Sequence, residues 1–210
     1  MSGRLALIQW LSPAFPTGAF ACSHGLEQAI ADGTIRTATD FADWLHGVLA
    51  HGAGWQDAVL LSLTLRPGAD PAALAALARA LTPSAERLAE TLDQGTAFAR
   101  TVSALTGRAV AAAPLPVAIG QAAAPLDLPA EEVIGLALQA FASNLVTVAT
   151  RAVPLGQTAG QAVLAGLLPL IATLAARAAT AGEDDLGNAA IAADLQSMRH
   201  ETLDVRIYRT

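Results

Sequence analysis

Apolar positions recur along this chain with the period of an α-helix. Thr37 and Asp40 have the spacing of a capping box, and Phe41, Trp44, Leu45, Val48 and Leu49 follow at helical intervals. Leu88, Leu92, Val102 and Leu105 mark a second stripe in a segment beginning near Ser84. Val133, Leu136, Ala140, Phe141, Leu145 and Val148 mark a third. Asp70-Pro71 and Thr82-Pro83 each set a capping side chain before a proline at the first helical position, where the missing N–H costs nothing. Pro129, with Glu131 and Glu132 behind it, supplies another start and puts acid at the positive end of the helix dipole. Nothing alternates with period two over a strand's length, and no fixed-period repeat is visible. Residues 108–127, rich in alanine and broken by Pro114, Pro116 and Pro125, read as a connector with a short helix. The pattern predicts an all-α, single-domain bundle of roughly eight to ten helices over residues 1–210.

The two ends depart from this texture. Residues 12–20 are too rich in proline and glycine to be helical, so residues 1–22 are expected to form a non-helical contact segment with Phe15 and Phe20 exposed. Residues 199–210 concentrate Arg199, Arg206 and Arg209 with His200, Glu201 and the only tyrosine, Tyr208. That mixture suits a flexible tail that docks on another protein.

Composition narrows the function. The chain has 210 residues, 53% hydrophobic and 14% charged, with a formal charge of −6. Alanine is roughly a quarter of it, which favours helix. Disorder is excluded by the hydrophobicity, and broad nucleic-acid binding by the negative charge and the lack of any lysine. Mean hydropathy is +0.45, and the stretches Val133–Thr150 and Ala152–Ala176 carry no charge. Both approach the length of a membrane span, but they are interrupted by Gln139, Asn144, Pro154, Gln157, Gln161 and Pro169. They read as buried helices of a soluble bundle, with a small helical membrane protein as the alternative. The N-terminus has no secretory pattern, and the chain is expected to be cytoplasmic.

No catalytic constellation emerges. Glycine-rich phosphate loops and nucleophile elbows are missing, and the four histidines are scattered, His46 and His51 being five apart. Cys22 and His24 are candidate metal ligands, but two ligands make a site only if a second copy completes it; otherwise they are a buried thiol beside a turn histidine. Glu27 reads as a helix-start carboxylate, and Glu86, Glu90 and Asp93 as a solvent-facing ladder. In Val153–Gln161, Pro154 ends a helix, Gly156 permits a reversal, and Gln157 and Gln161 share one face of the next helix. The two amides are either partnered inside the fold or part of an interaction surface.

Four blocks in order resemble the UreF-type urease accessory proteins. They are Ser12–Phe20 with Ser23-His24-Gly25-Leu26-Glu27; Glu86-Arg87 with Glu90 and Gln94-Gly95; Pro154-Leu155-Gly156-Gln157 with Gly160-Gln161; and His200-Glu201 with Arg206, Ile207-Tyr208 and Arg209. The chain departs from the family pattern in having Gly18-Ala19 for paired glycines and Arg151 for a lysine. The resemblance implies a non-enzymatic scaffold with no cofactor, bridging UreD (also called UreH) and the GTPase UreG during nickel insertion into apo-urease, and a homodimer within that complex. It implies that residues 199–210 dock on UreD, ordering as they bind, and that the surface around Glu27 and Arg151 meets UreG. An alternative is a GTPase-activating role through Arg151, Arg206 or Arg209. On the scaffold reading, removing residues 199–210 abolishes capture by UreD and leaves helicity nearly unchanged; a large loss of far-ultraviolet circular dichroism would make the tail structural.

Overall fold

A computed structural model describes residues 3–153 and 155–210. The described residues form ten α-helices and no strand: α1 Gly3–Trp10, α2 Leu26–Ala31, α3 Ala38–His51, α4 Ala53–Leu65, α5 Pro71–Ala80, α6 Ala85–Thr106, α7 Leu115–Ala123, α8 Ala130–Ala152, α9 Gln157–Ala178 and α10 Ile191–His200.

Local chemistry explains most of the boundaries. Thr37 and Asp40 form the full capping box at the start of α3. Asp70 accepts the N–H groups of Ala72 and Ala73 ahead of Pro71. Thr82-Pro83 does not open a helix; Ser84 caps α6 instead, accepting the N–H of Arg87, and the Thr82 hydroxyl donates back to Ala78. Pro129 stands just before α8, with Glu131 and Glu132 in its first turn.

Helix α4 lies at the centre, packed against α3, α5, α7, α8 and α9, and buried continuously from Ala58 to Thr64. Residues 108–127 are more than a connector. They hold α7, which is buried on nearly every side, because an alanine-rich helix has no bulk to keep neighbours away. Gly120 lets Thr64 approach to where a side chain would stand, and Gly95 of α6 does the same for the Ala113 carbonyl. Such a uniformly apolar helix has no amphipathic stripe to betray it. The charge-free stretches are α8 and α9, packed on each other where Gly160 admits Thr150 and Val146. Both are long and apolar enough to cross a membrane. Neither is fully buried, however: α9 keeps an open face of small residues, with Pro169 on it, where the lost backbone bond is tolerated.

The ends differ from expectation. Residues 3–10 of the N-terminal segment are helical, and Phe15 is buried, its ring 5.6 Å from that of Phe98. The loop makes turns but still delivers an aromatic ring into the core, where burial is worth about 2 kcal/mol. The C-terminal stretch is laid against the bundle rather than free, because its amides and side chains find carboxylate partners there. Replacing Gly95 by alanine drives a methyl group into the Ala113 carbonyl oxygen. That change should lower stability by about 3 kcal/mol in urea unfolding; an unchanged midpoint would show that the segment before α7 does not cross α6 there.

Candidate functional site

The first, second and fourth of the blocks meet at one end of the bundle. Gly18 adopts φ +79°, so the first position of Gly18-Ala19 supplies the left-handed turn and alanine suffices at the second. Asn144 of α8 donates to the carbonyls of Ala19 and Cys22 and fixes the loop. His24 and Gly25 then take φ +60° and +79° in succession, which turns the chain into α2. A side chain on Gly25 would strike the Ser197 backbone, so glycine sets how closely α2 crosses α10.

This turn delivers Glu27, only 8% exposed, to residues far along the chain. Its carboxylate accepts the N–H groups of Ile207 at 2.8 Å and Tyr208 at 3.0 Å and faces Nε2 of His200 at 2.9 Å. The other ring nitrogen of His200 lies 2.6 Å from Glu86, which also accepts from Arg206 at 2.6 Å. Further along α6, Glu90 pairs with Arg87 inside the fold and accepts the Thr210 hydroxyl at 2.6 Å and the Gln94 amide at 3.3 Å. Arg209 reaches Asp93 at 2.9 Å. The backbone N–H and hydroxyl of Ser23 both donate to the Thr210 carbonyl, and the Arg209 N–H donates to Ala21.

The electrostatics follow from this crowding. Burial alone would push the Glu27 carboxyl up, but the bonds from His200, Ile207 and Tyr208 prevail and hold it below the usual carboxylate range. Burial likewise works to raise Glu90; Arg87 and His24 overcome it and hold that group far below the range. His24, against Phe141 with Nδ1 3.9 Å from Glu90 and no hydrogen-bond partner among the described residues, is lowered to about 4 by burial and by Arg87. Asp57 of α4 is raised to about 7 by burial, with Arg87 opposing and Glu90 assisting; it lines two small cavities of about 20 and 60 Å³. Burial and Glu90 raise the Cys22 thiol.

The expected site residues do not all come together. Glu27, His200, Arg206, Tyr208 and Arg209 meet in the polar knot, although Glu27 is enclosed rather than solvated at a helix start. Glu201 caps the first turn of α6 through the Ala85 N–H, and Arg199 is exposed. Phe20 is 67% exposed beside the knot. Arg151, at the exposed end of α8, lies against the Tyr208 hydroxyl. Pro154 lies outside the described residues. Gly156 has φ −64° and needs no glycine freedom; Gly160, at the crossing of α8 and α9, is where the missing side chain matters. Gln157 and Gln161 are exposed on the first turns of α9 and need no buried partner. Cys22 and His24 are both buried, so neither is presented to a second copy.

The acidic ladder is the largest departure from the sequence-based expectation. Leu88 and Leu92 are half-buried and Leu105 is exposed, whereas Arg87, Glu90 and Gln94 are buried with Phe98 and Val102. A signal existed. Stepping back from Val102 and Phe98 by helical intervals lands on Gln94, Glu90 and Arg87. Ser23, Asp57 and Thr210 carried no comparable sign.

Comparisons with known proteins give the chain's relatives. A family model described as UreF matches residues 35–168. The urease accessory protein UreF of Cereibacter sphaeroides strain KD131 is 63% identical over 206 residues, covering 98% of each chain. Its counterpart in Paracoccus denitrificans is 58% identical over 209 residues, covering 100% of this chain and 97% of that one. That of Dinoroseobacter shibae is 47% identical over 211 residues and the full length of both.

Asp57 and His24 pull stability in opposite directions with pH. Asp57 keeps its proton in the folded chain up to about 7, so its contribution is complete at low pH and is lost as pH rises through that value. His24 resists protonation down to about 4, so its contribution is lost as pH falls from the ordinary histidine range towards that value. Asp57→Asn should therefore gain on the parent chain by on the order of 1 kcal/mol above neutral pH. Urea unfolding on both sides of neutrality checks this, and parallel profiles for the two chains would contradict it.

Proposed function

Because the chain belongs to the UreF family of urease accessory proteins, we propose that it is a scaffold for nickel insertion that joins UreD (UreH) to the GTPase UreG on apo-urease. It performs no chemistry itself: the bundle holds two contact surfaces in fixed relation, and nickel is cargo. The observation that carries this reading is the folded-back tail. Its inner side is spent on the bundle, and its outer side presents Val205 and Ile207, each 81% exposed. Ile191, Leu195 and Met198 make a further exposed stripe along α10, which leads into the tail. Exposed aliphatic side chains among Arg199, Arg206 and Arg209 have the composition of a protein interface, and this surface is assigned to UreD. Arg151, Gln157 and Gln161, around the turn from α8 to α9, are assigned with Phe20 to contacts at the same end, where UreG is received. The outer face of α9, uncharged from Gln157 to Ala176, is assigned to pairing of two copies within a cytoplasmic complex, with residues 1–210 acting as one domain.

Replacing Val205 and Ile207 together by aspartate should cut recovery of the chain with tagged UreD by at least about tenfold, since desolvating each charge opposes docking. Both side chains are exposed, so thermal unfolding and circular dichroism should stay unchanged. Undiminished capture of the doubly substituted chain would remove the tail from the interface.

A further inference from the structure

We propose that residues 201–210 form a strap latched by an imidazolium: His200, with a proton on each ring nitrogen, bridges Glu27 and Glu86, and its conversion to neutral imidazole frees the stretch from Arg206 to Tyr208 while the end of the strap and the helices beneath stay in place. The proposal concerns the chain alone and does not depend on which partner the strap meets.

The geometry demands two donors. One ring nitrogen lies 2.9 Å from a Glu27 oxygen and the other 2.6 Å from a Glu86 oxygen, and the histidine is 0% exposed. A neutral imidazole has one N–H and one lone pair. Its lone pair would face a carboxylate oxygen at hydrogen-bond distance, with no solvent to intervene, so one of the two contacts must open. Both carboxylates also anchor the middle of the strap, whereas its end is held separately: the Arg209 N–H donates to Ala21, the Thr210 carbonyl accepts from Ser23 and the Thr210 hydroxyl donates to Glu90. Glu27 takes the amides of Ile207 and Tyr208, and Glu86 takes Arg206. Apolar burial adds little beyond the Tyr208 ring, since Val205 and Ile207 face outward. The outer ion pair, Arg209 with Asp93, is exposed and weak.

Glu27 stays ionised into acid because its partners hold it low, so the strap remains latched on the acid side of neutrality. On α6, Arg87 and Glu90 are paired with each other. His24, lowered to about 4, is neutral throughout the range. Burial pushes the Tyr208 phenol above its usual value, with Arg151 opposing, so it too is neutral there. Asp57 titrates near 7 but sits on α4, and its contribution can be removed separately.

Hydrogen exchange of the full-length chain, corrected for intrinsic rates, reads the latch. Protection of the Ile207 and Tyr208 amides should fall by at least about tenfold between roughly pH 6 and roughly pH 9, while α8 and α9 stay protected. Asp57→Asn should show the same fall. His200→Gln should expose these amides at both pH values. Constant protection in the parent chain, or a full pH-dependent fall retained in His200→Gln, would overturn the proposal. Nitrogen NMR of the unmodified chain supplies a test that needs no variant: both ring nitrogens of His200 are expected to carry protons at about pH 6, and a neutral tautomer there would refute the latch.

Discussion

A carboxylate enclosed by protein must be met by donors, and at Glu27 those donors come from residues more than 170 positions away in the chain. This requirement organises one whole end of the molecule. The left-handed pair His24-Gly25 turns α2 so that Glu27 faces inward, the close crossing of α10 brings His200 to it, and the extended C-terminal residues complete the shell with backbone amides. None of these features is self-sufficient. Without the turn the carboxylate would face solvent, and without the carboxylate the strap would lose the acceptor of its Ile207 and Tyr208 amides.

The rest of the bundle is built on a different principle. Around α4 and α7 the chain uses alanine, glycine and aliphatic residues, and helices approach closely because little stands between them. That packing supplies the burial on which folding depends. The polar end adds little net stability, since each enclosed ion must be stripped of water before its partner repays the cost. What the polar end contributes is definition: it admits one register of α2, α6, α10 and the strap. A scaffold assembled in this way is stiff in its apolar body and specific at its charged end.

Helix type and most helix limits were legible in the sequence, because caps and periodic stripes act through neighbouring residues. Thr37 with Asp40, and Asp70 with Pro71, work within a single turn, so their consequences are local. The interior of α7 was hidden because a helix apolar on every side has no periodic contrast. The acidic row on α6 pointed the wrong way for a different reason. Spacing alone cannot distinguish a solvated ladder from one neutralised by distant cations, and Arg206, His200 and the Thr210 hydroxyl approach only through tertiary structure. Family resemblance marked Glu27 and the C-terminal arginines as important without indicating that they meet within one chain.

The long reach of these contacts also has a consequence for synthesis. Ser23 and Glu27 leave the ribosome early, yet Ile207, Tyr208 and Thr210, which complete their shells, emerge some 180 residues later. The apolar body can condense during elongation, whereas Glu27 at the head of α2 stays hydrated until its distant donors arrive. Nascent chains therefore pass through a long interval in which the region around α2 is open to other proteins, and that interval closes only after the strap has cleared the exit tunnel.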